Sequence, residues 1–224
     1  MRRSALATLF CLSGFAGLIA ISMRLYPGGN WLDRSAPGHR FLFNFWCDLT
    51  QPVSLSGVDN HVGAFYGELG MLCFAGALAG FFWLLPRQFA PQASGSPWVR
   101  GFGECAVLIF VAVTLMPSER FGALHAYLAL ASGGFGILAA ACAVVSLWRS
   151  HAPARRLSVL GGLVLVLGAF DALVFLHHLN DAAPPPLVIP AVQKIAGLLL
   201  SAWIGAVAWL EIAVQPSTRR PGSG

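Results

Sequence analysis

Residues 26–61 read YPGGNWLDRSAPGHRFLFNFWCDLTQPVSLSGVDNH and form the one long polar segment of an otherwise apolar chain. The segment holds three of the nine acidic residues, two histidines and Cys47. A connection of this length is usually functional or disordered. The aromatic run at 41–46, FLFNFW, favours an ordered segment, because such a run can bury itself against another part of the protein. The sequence therefore predicts that the rest of the chain is arranged beneath one ordered loop.

The runs on either side of this segment indicate a membrane protein. The 224-residue chain is 57% hydrophobic and 10% charged, whereas soluble domains carry about 25% charged residues. Apolar runs of about 18 to 25 residues recur, and each can cross a hydrocarbon layer roughly 30 Å thick. The first run could be a signal peptide, but it fills the interval between Arg3 and Arg24 without an A-x-A site, which favours a membrane helix.

These runs predict an all-α, polytopic six-helix membrane bundle. It forms a single domain over residues 1–216, with an extracytoplasmic loop at 26–60 between helices 1 and 2 and a polar cytoplasmic tail at 217–224. The spans are predicted at about 4–25, 61–85, 98–116, 122–148, 157–179 and 187–214.

The distribution of positive charge predicts the orientation. The net charge of +5 comes mainly from arginines at the ends of apolar runs, so it does not indicate a nucleic-acid partner. Nine of the 14 lysines and arginines fall on the side of the two termini. By the positive-inside rule both termini are cytoplasmic. We therefore expect a protein of the bacterial inner membrane, in contact with membrane lipids; the sequence indicates no particular oligomeric state.

Small residues recur at four-residue spacing within the predicted spans. Such pairs let helix backbones approach closely, so they predict tight helix packing. The pairs are Ser13/Gly17, Gly63/Gly67, Gly76/Gly80 and Ser201/Gly205.

Three ionisable residues lie deep inside predicted spans, where charge is costly. Glu68, Asp171 and Lys194 all fall roughly 10–12 Å below the outer surface, at 1.5 Å of rise per residue. Because Asp171 and Lys194 lie on spans joined by a short turn, we expect an ion pair between them, with Gln193 as a neighbour. The pair could fix helix register. In the alternative, Lys194 binds an anionic headgroup, or Asp171 carries a proton or cation.

Histidines are expected at the outer ends of three spans. His61 begins the second span, His125 the fourth, and His178 ends the fifth. His61 and Glu68 are seven residues apart, as are Asp171 and His178, so each pair lies on one helical face. Histidines and carboxylates from several helices can hold a metal such as zinc. The chain has no HExxH, HxxxH or CxxC motif, and the alternative is a solvated polar vestibule.

The loop is expected to roof this vestibule. Its aromatic residues would anchor the roof of the vestibule at the membrane interface, where aromatics are favoured. The alternative is a re-entrant or interfacial anchor with no ligand beneath it. Cys47 has no base fixed beside it by spacing, so the sequence does not favour it as a nucleophile. The candidate ligand-binding residues of the loop are Asn44, Asp48, Asp59 and Asn60.

Three short motifs give the chain a resemblance to a known family. They are Tyr26-Pro27-Gly28, Asn44-Phe45-x-x-Asp48-Leu49 and Gly57-x-x-Asn60. With these motifs the chain resembles the bacterial six-span membrane proteins grouped as domain of unknown function 998, which are distantly similar to the damage-regulated autophagy modulator group. Thr50 stands where that family has a glycine. The resemblance implies a six-helix fold and supplies no activity.

Three functions are compatible with the sequence. The first is binding or transport of a lipid headgroup, small molecule or ion in an outward-facing polar vestibule. The second is a metal-dependent membrane hydrolase or transferase that uses the outer histidines, so the sequence leaves open whether the protein is an enzyme. The third is a membrane scaffold or assembly protein. The sequence favours the first, because three ionisable groups at one depth are more than one structural pair requires.

Overall fold

The computed structural model describes residues 2–90, 94–150, 152–180 and 188–213. This part of the chain is all-α, without a β-strand, and six of its helices are long and apolar enough to cross a membrane. The predicted six-helix membrane bundle is confirmed, and the chain is an integral membrane protein. The predicted tail at 217–224 lies outside the described residues. The helices are α1 (Arg2–Leu25), α2 (His61–Leu84), α3 (Ser96–Leu115), the short α4 (Ser118–Phe121), α5 (Ala123–Trp148), α6 (Ala152–Asn180) and α7 (Val188–Ala213).

Prolines lie at several helix boundaries. Pro86 lies in the 3₁₀ turn Leu85–Gln88 that follows α2, and Pro97 lies in the first turn of α3. Pro117 directly precedes α4. Proline lacks an amide hydrogen, so it suits the first turn of a helix, where that hydrogen would have no helical partner.

The six long helices form a ring. Each packs against its neighbours in the order α1, α2, α3, α5, α6, α7 and back to α1, and α2 also contacts α7. We call the end of the ring that carries residues 26–60 the loop end, and the opposite end the terminal end. The ring order leaves room for a cavity between α2, α3, α5, α6 and α7.

Glycines of α2 let α1 and the loop pack closely against this helix. A Cβ added at Gly80 would lie 2.1 Å from Thr8 Oγ1, and one added at Gly67 would lie 2.4 Å from the carbonyl oxygen of Leu49. By contrast, a Cβ added at Gly17 would meet nothing within 4 Å. The close contacts follow one antiparallel register, in which Gly80 faces Thr8, Gly76 faces Cys11, Gly70 faces Ile19 and Gly67 faces Ser22.

The terminal end is filled by a hydrophobic core. Phe81, Leu147 and Trp203 are almost completely buried there. At the same end, Arg87 Nη1 donates to Glu211 Oε1 at 3.1 Å. This half-buried ion pair joins the 3₁₀ turn after α2 to the end of α7, and a charge-assisted bond of this kind is stronger than a neutral one.

Residues 26–60 form an ordered loop with its own internal contacts. The Leu55 amide donates to the Tyr26 hydroxyl at 3.0 Å, and residues Cys47–Thr50 form a 3₁₀ turn. Gly29 has a φ of +84°, and a Cβ there would lie 2.4 Å from Ser56 N. Both facts require glycine at this position, because an L side chain rarely adopts this φ and has no space.

Candidate functional site

The loop covers the loop end of the ring by contacts to three parts of the bundle. Gln51 Nε2 donates to Ser118 Oγ in α4 at 2.9 Å. The Trp46 amide donates to Gln193 Oε1 in α7 at 3.0 Å. The Leu49 carbonyl lies against Gly67 of α2. Since these anchors lie on different sides of the ring, the loop spans its opening.

Lys194 is the centre of this attachment. Its side chain is fully buried, and its ammonium donates to the carbonyl oxygen of Asn44. The same Nζ lies 4.4 Å from the ring centroid of Trp46 and 5.5 Å from that of Phe41. A desolvated ammonium over aromatic faces gains cation–π attraction. Lys194 therefore binds the loop.

Asp48 supplies the opposite charge within the loop. Its carboxylate is almost fully buried and accepts hydrogen bonds from the Phe45 amide at 2.8 Å, Asn44 Nδ2 at 3.2 Å and Trp31 Nε1 at 3.4 Å. Burial raises the pKa of Asp48 to about 6, against the lowering effect of these donors and of the Lys194 ammonium. The two buried charges compensate each other, as buried ions must. We call Asn44, Trp46, Asp48, Gln193 and Lys194 the Lys194 network.

The expected ion pair between Asp171 and Lys194 is not formed. Asp171 Oδ1 is buried without a hydrogen-bond partner among the described residues, while the Lys194 ammonium is bonded to the loop. Matched depth along two helices does not determine which way each side chain faces. Asp171 lines the cavity, whereas Lys194 does not.

A cavity of about 840 Å³ lies between the helices beneath the loop. This volume is within the range of known ligand pockets, roughly 300–1,000 Å³. Its wall is mostly apolar and rich in aromatic rings, among them Phe15, Phe74, Phe82, Phe110 and Trp203. Its polar lining is concentrated towards the loop end and includes Asp48, Gln51, Ser118, His125, Asp171, His178 and Gln193.

Glu68, His61 and Asp59 are not brought to this cavity. Glu68 is half-buried on α2 and does not line the cavity, and Phe65 and Leu72 on the same helical face are exposed on the bundle surface. His61 and Asp59 are exposed and bond to each other. The structure therefore does not bring Glu68 together with Asp171 and Lys194.

Asn44 and Asn60 have internal roles in the loop. Asn44 Nδ2 also donates to the Gly29 carbonyl at 2.9 Å. Asn60 Nδ2 donates to the Gln51 carbonyl at 2.9 Å, directly before α2 begins. Both side chains tie separate parts of the loop together.

The three histidines proposed for zinc have different surroundings. His125 is buried and its Nδ1 lies 2.6 Å from the Met116 carbonyl oxygen, whereas His178 is half-buried and lines the cavity. Within residues 2–90, 94–150, 152–180 and 188–213, no three or more histidine, cysteine or acidic side chains are grouped to hold a metal. Zinc binding stays a prediction, and metal analysis of the purified protein would test it.

Trp203 is a cavity residue that the sequence did not indicate. It is 1% exposed and lines the cavity far from the loop, and its Nε1 has no hydrogen-bond partner among residues 2–90, 94–150, 152–180 and 188–213. A Cβ added at Gly161 of α6 would lie 2.6 Å from its indole ring. In the sequence, a tryptophan within an apolar run cannot be told from a core residue.

His39 is a second residue that the sequence analysis missed. Its ring packs edge-on against Tyr26, with centroids 5.7 Å apart, and its buried Nε2 has no hydrogen-bond partner among the residues that the structure describes. Burial, assisted by the Lys194 ammonium, lowers the pKa of His39 to about 3. The imidazole is therefore neutral when the loop is folded.

We expect His39 to make the folded loop sensitive to acid. An unfolded loop takes up this proton near pH 6.5, so the stability contributed by neutral His39 is complete above that pH and is lost as the pH falls towards 3. Asp48 acts oppositely, because its raised pKa favours the folded form as the pH falls from about 6 to 3.8. His39→Phe removes only the first effect, so its melting temperature should fall less than that of the wild type between neutral pH and about pH 4. Equal slopes of melting temperature against pH would contradict this expectation.

No family model, curated protein or solved structure matches the chain.

Proposed function

We propose that this protein binds an amphipathic molecule, a lipid or a lipid-like small molecule, in the cavity beneath the loop. The observation that carries the proposal is the cavity itself: about 840 Å³, with an aromatic and aliphatic wall and polar groups gathered at one end. We further propose that the loop faces the outside of a bacterial inner membrane and that both termini are cytoplasmic, as the positive-inside rule predicts.

The division of the lining supports an amphiphile over a free ion. Burying an apolar chain against the wall is favourable by roughly 25 cal/mol per Å². Polar groups of the ligand would then meet Asp171, His178 and Gln193 towards the loop end. A small ion would make no favourable contact with the long apolar part of the cavity.

Two glycines of α5 give a matched test of this proposal. Gly136 lines the cavity and Gly134 does not, and a Cβ at either position would meet nothing within 4 Å. Gly136→Phe should therefore fill the cavity, whereas Gly134→Phe should place the same ring outside it. Neither change should disturb the packing of the helices.

The measurement uses ω-bromododecanol, whose bromine quenches tryptophan fluorescence on contact. We expect quenching in the wild type and in Gly134→Phe, and affinity weakened by about tenfold or more, roughly 1.4 kcal/mol, in Gly136→Phe. Trp203→Phe identifies the part of the signal that comes from the cavity. Equal, saturable quenching of the two glycine variants would refute cavity binding.

We also propose, separately from the cavity, that the chain is related to the six-span family that it resembles. A six-helix fold is compatible with that family, but the resemblance supplies no ligand and does not enter the argument for the cavity.

A further inference from the structure

One face of α6 carries a carboxylate beneath an aromatic group. Asp171, Phe175 and His178 are spaced four and three residues apart, so they share a helical face, and all three line the cavity. The Phe175 ring lies 6.4 Å from the Phe45 ring of the loop, and Phe45 lies 6.0 Å from Trp31. A group bound at Asp171 would therefore be close to π-faces at the loop end.

The charges around the cavity favour a positive partner. Among the described lining residues there is no lysine or arginine; the ionisable ones are Cys47, Asp48, Glu119, His125, Asp171 and His178. Asp48 accepts hydrogen bonds from three donors and lies near Lys194, while Glu119 is exposed at the rim. Asp171 Oδ1 is thus the buried carboxylate oxygen of this lining that has no hydrogen-bond partner within the described part of the chain.

Lys194 is not available for an anionic headgroup. Its ammonium is bonded to the Asn44 carbonyl, lies over the Trp46 ring and does not line the cavity. A phosphate entering the cavity would meet acidic groups and no lysine or arginine of the described lining. This placement reverses the expectation that Lys194 recognises the ligand.

A second polar atom marks the far end of the cavity. Trp203 lines the cavity, and its Nε1 is buried and has no hydrogen-bond partner in the part of the chain that the structure describes. Its indole packs against Gly161, ten residues before Asp171 on α6, which corresponds to roughly 15 Å along the helix axis. The cavity therefore has an acceptor at one end and a donor at the other, joined by an apolar wall. A chain must extend between them if one ligand is to reach both.

We infer that the cavity selects a long-chain amine: its ammonium group binds the Asp171 carboxylate beneath Phe45 and Phe175, and its chain runs towards Trp203. An ammonium suits both features of the site around Asp171, because it donates hydrogen bonds to a carboxylate and is attracted to aromatic faces. This inference rests on the proposed function and adds the chemical class of the ligand.

The test compares three probes that share one bromine-tipped chain and differ only in the head. They are ω-bromododecylamine, ω-bromododecanol and ω-bromododecyl phosphate. Each is titrated into the purified full chain in nanodiscs of neutral lipid, and tryptophan quenching is measured. The quenching that is lost in Trp203→Phe is the signal from the cavity. We expect the amine to bind most tightly. Asp171→Asn should weaken the amine by about 10- to 100-fold, the value of a charge-assisted bond of 1.5–3 kcal/mol, and should leave the alcohol almost unchanged.

Asp171→Glu keeps the charge and should keep the preference for the amine, which separates recognition from a folding defect. The preference for an amine would be overturned if the phosphate probe bound as tightly as the amine, or if Asp171→Asn bound the amine as tightly as the wild type. Cavity binding itself would still hold in that case, provided that Gly136→Phe still blocks the probes. If no probe gives quenching that depends on Gly136 and Trp203, the proposed function fails and the amine fails with it.

Discussion

Replacing Lys194 with methionine is expected to detach the loop from the bundle. The substitution removes the donor to the Asn44 carbonyl and leaves the buried Asp48 carboxylate without its compensating cation. Losing a hydrogen bond to a charged group costs about 1.5–3 kcal/mol, and the buried carboxylate loses a nearby positive charge as well. We expect a large fall in the thermal stability of the purified protein, together with exposure of residues near Asn44.

Cys47 reports this detachment directly. In the folded loop, burial and the nearby Asp48 raise the pKa of the Cys47 thiol to about 12. Because the thiolate is the reactive form, maleimide labelling near pH 8 should be on the order of a thousandfold slower than for a free cysteine. In a protein whose other four cysteines are replaced by alanine, Lys194→Met should accelerate this labelling by about tenfold or more.

The control and the rescue come from neighbouring residues. Ile195 is 47% exposed on the bundle surface, so Ile195→Ala should leave the labelling of Cys47 slow. Adding Asp48→Asn to Lys194→Met should recover part of the lost stability, because Asp48→Asn removes the uncompensated negative charge. If Lys194→Met labels no faster than Ile195→Ala, Lys194 does not hold the loop.

Adding one methyl group at Gly67 is expected to have the second-largest effect. A Cβ there would lie 2.4 Å from the Leu49 carbonyl oxygen and 2.9 Å from its carbon, and a backbone group cannot rotate away as a flexible side chain can. Overpacking of this kind costs about 1–3 kcal/mol. Gly67→Ala should therefore lower the melting temperature and displace the loop turn that holds Leu49.

Gly17 gives the matched control on the facing helix. A Cβ added at Gly17 meets nothing within 4 Å, so Gly17→Ala should be neutral, or stabilising by roughly 0.5–1 kcal/mol through its helix preference. Thermal melts of both variants in the same detergent measure the difference. Equal melting temperatures for the two variants would show that the close approach at Gly67 is not required.

The sequence alone predicted the fold class for physical reasons that act locally. A run of about 20 apolar residues satisfies its backbone hydrogen bonds within a membrane only as a helix or in a closed barrel, and runs this long favour helices. Six such runs indicate six spanning helices before any contact between them is known. The aromatic run at 41–46 likewise predicted an ordered loop, and in the structure Phe45 is buried and Trp46 is half-buried.

Spacing along one helix was informative, whereas depth compared between helices was not. The seven-residue spacing of Asp171 and His178 does place both on the cavity face of α6. The matched depths of Glu68, Asp171 and Lys194 did not bring these residues together, because depth leaves the rotation of each helix about its axis undetermined. Small-residue pairs had the same ambiguity: Gly67 and Gly80 are tightly packed, but Gly17 is not.

The sequence by itself determined an integral membrane protein with six apolar helices and one long ordered loop, because hydropathy and run length depend on neighbouring residues alone. Only the tertiary structure decided that Lys194 binds the loop, that Asp171 faces the cavity, and that Trp203 lines its far end. These facts depend on which faces of separate helices meet. Packing between residues far apart in the chain decides that, and no local pattern records it.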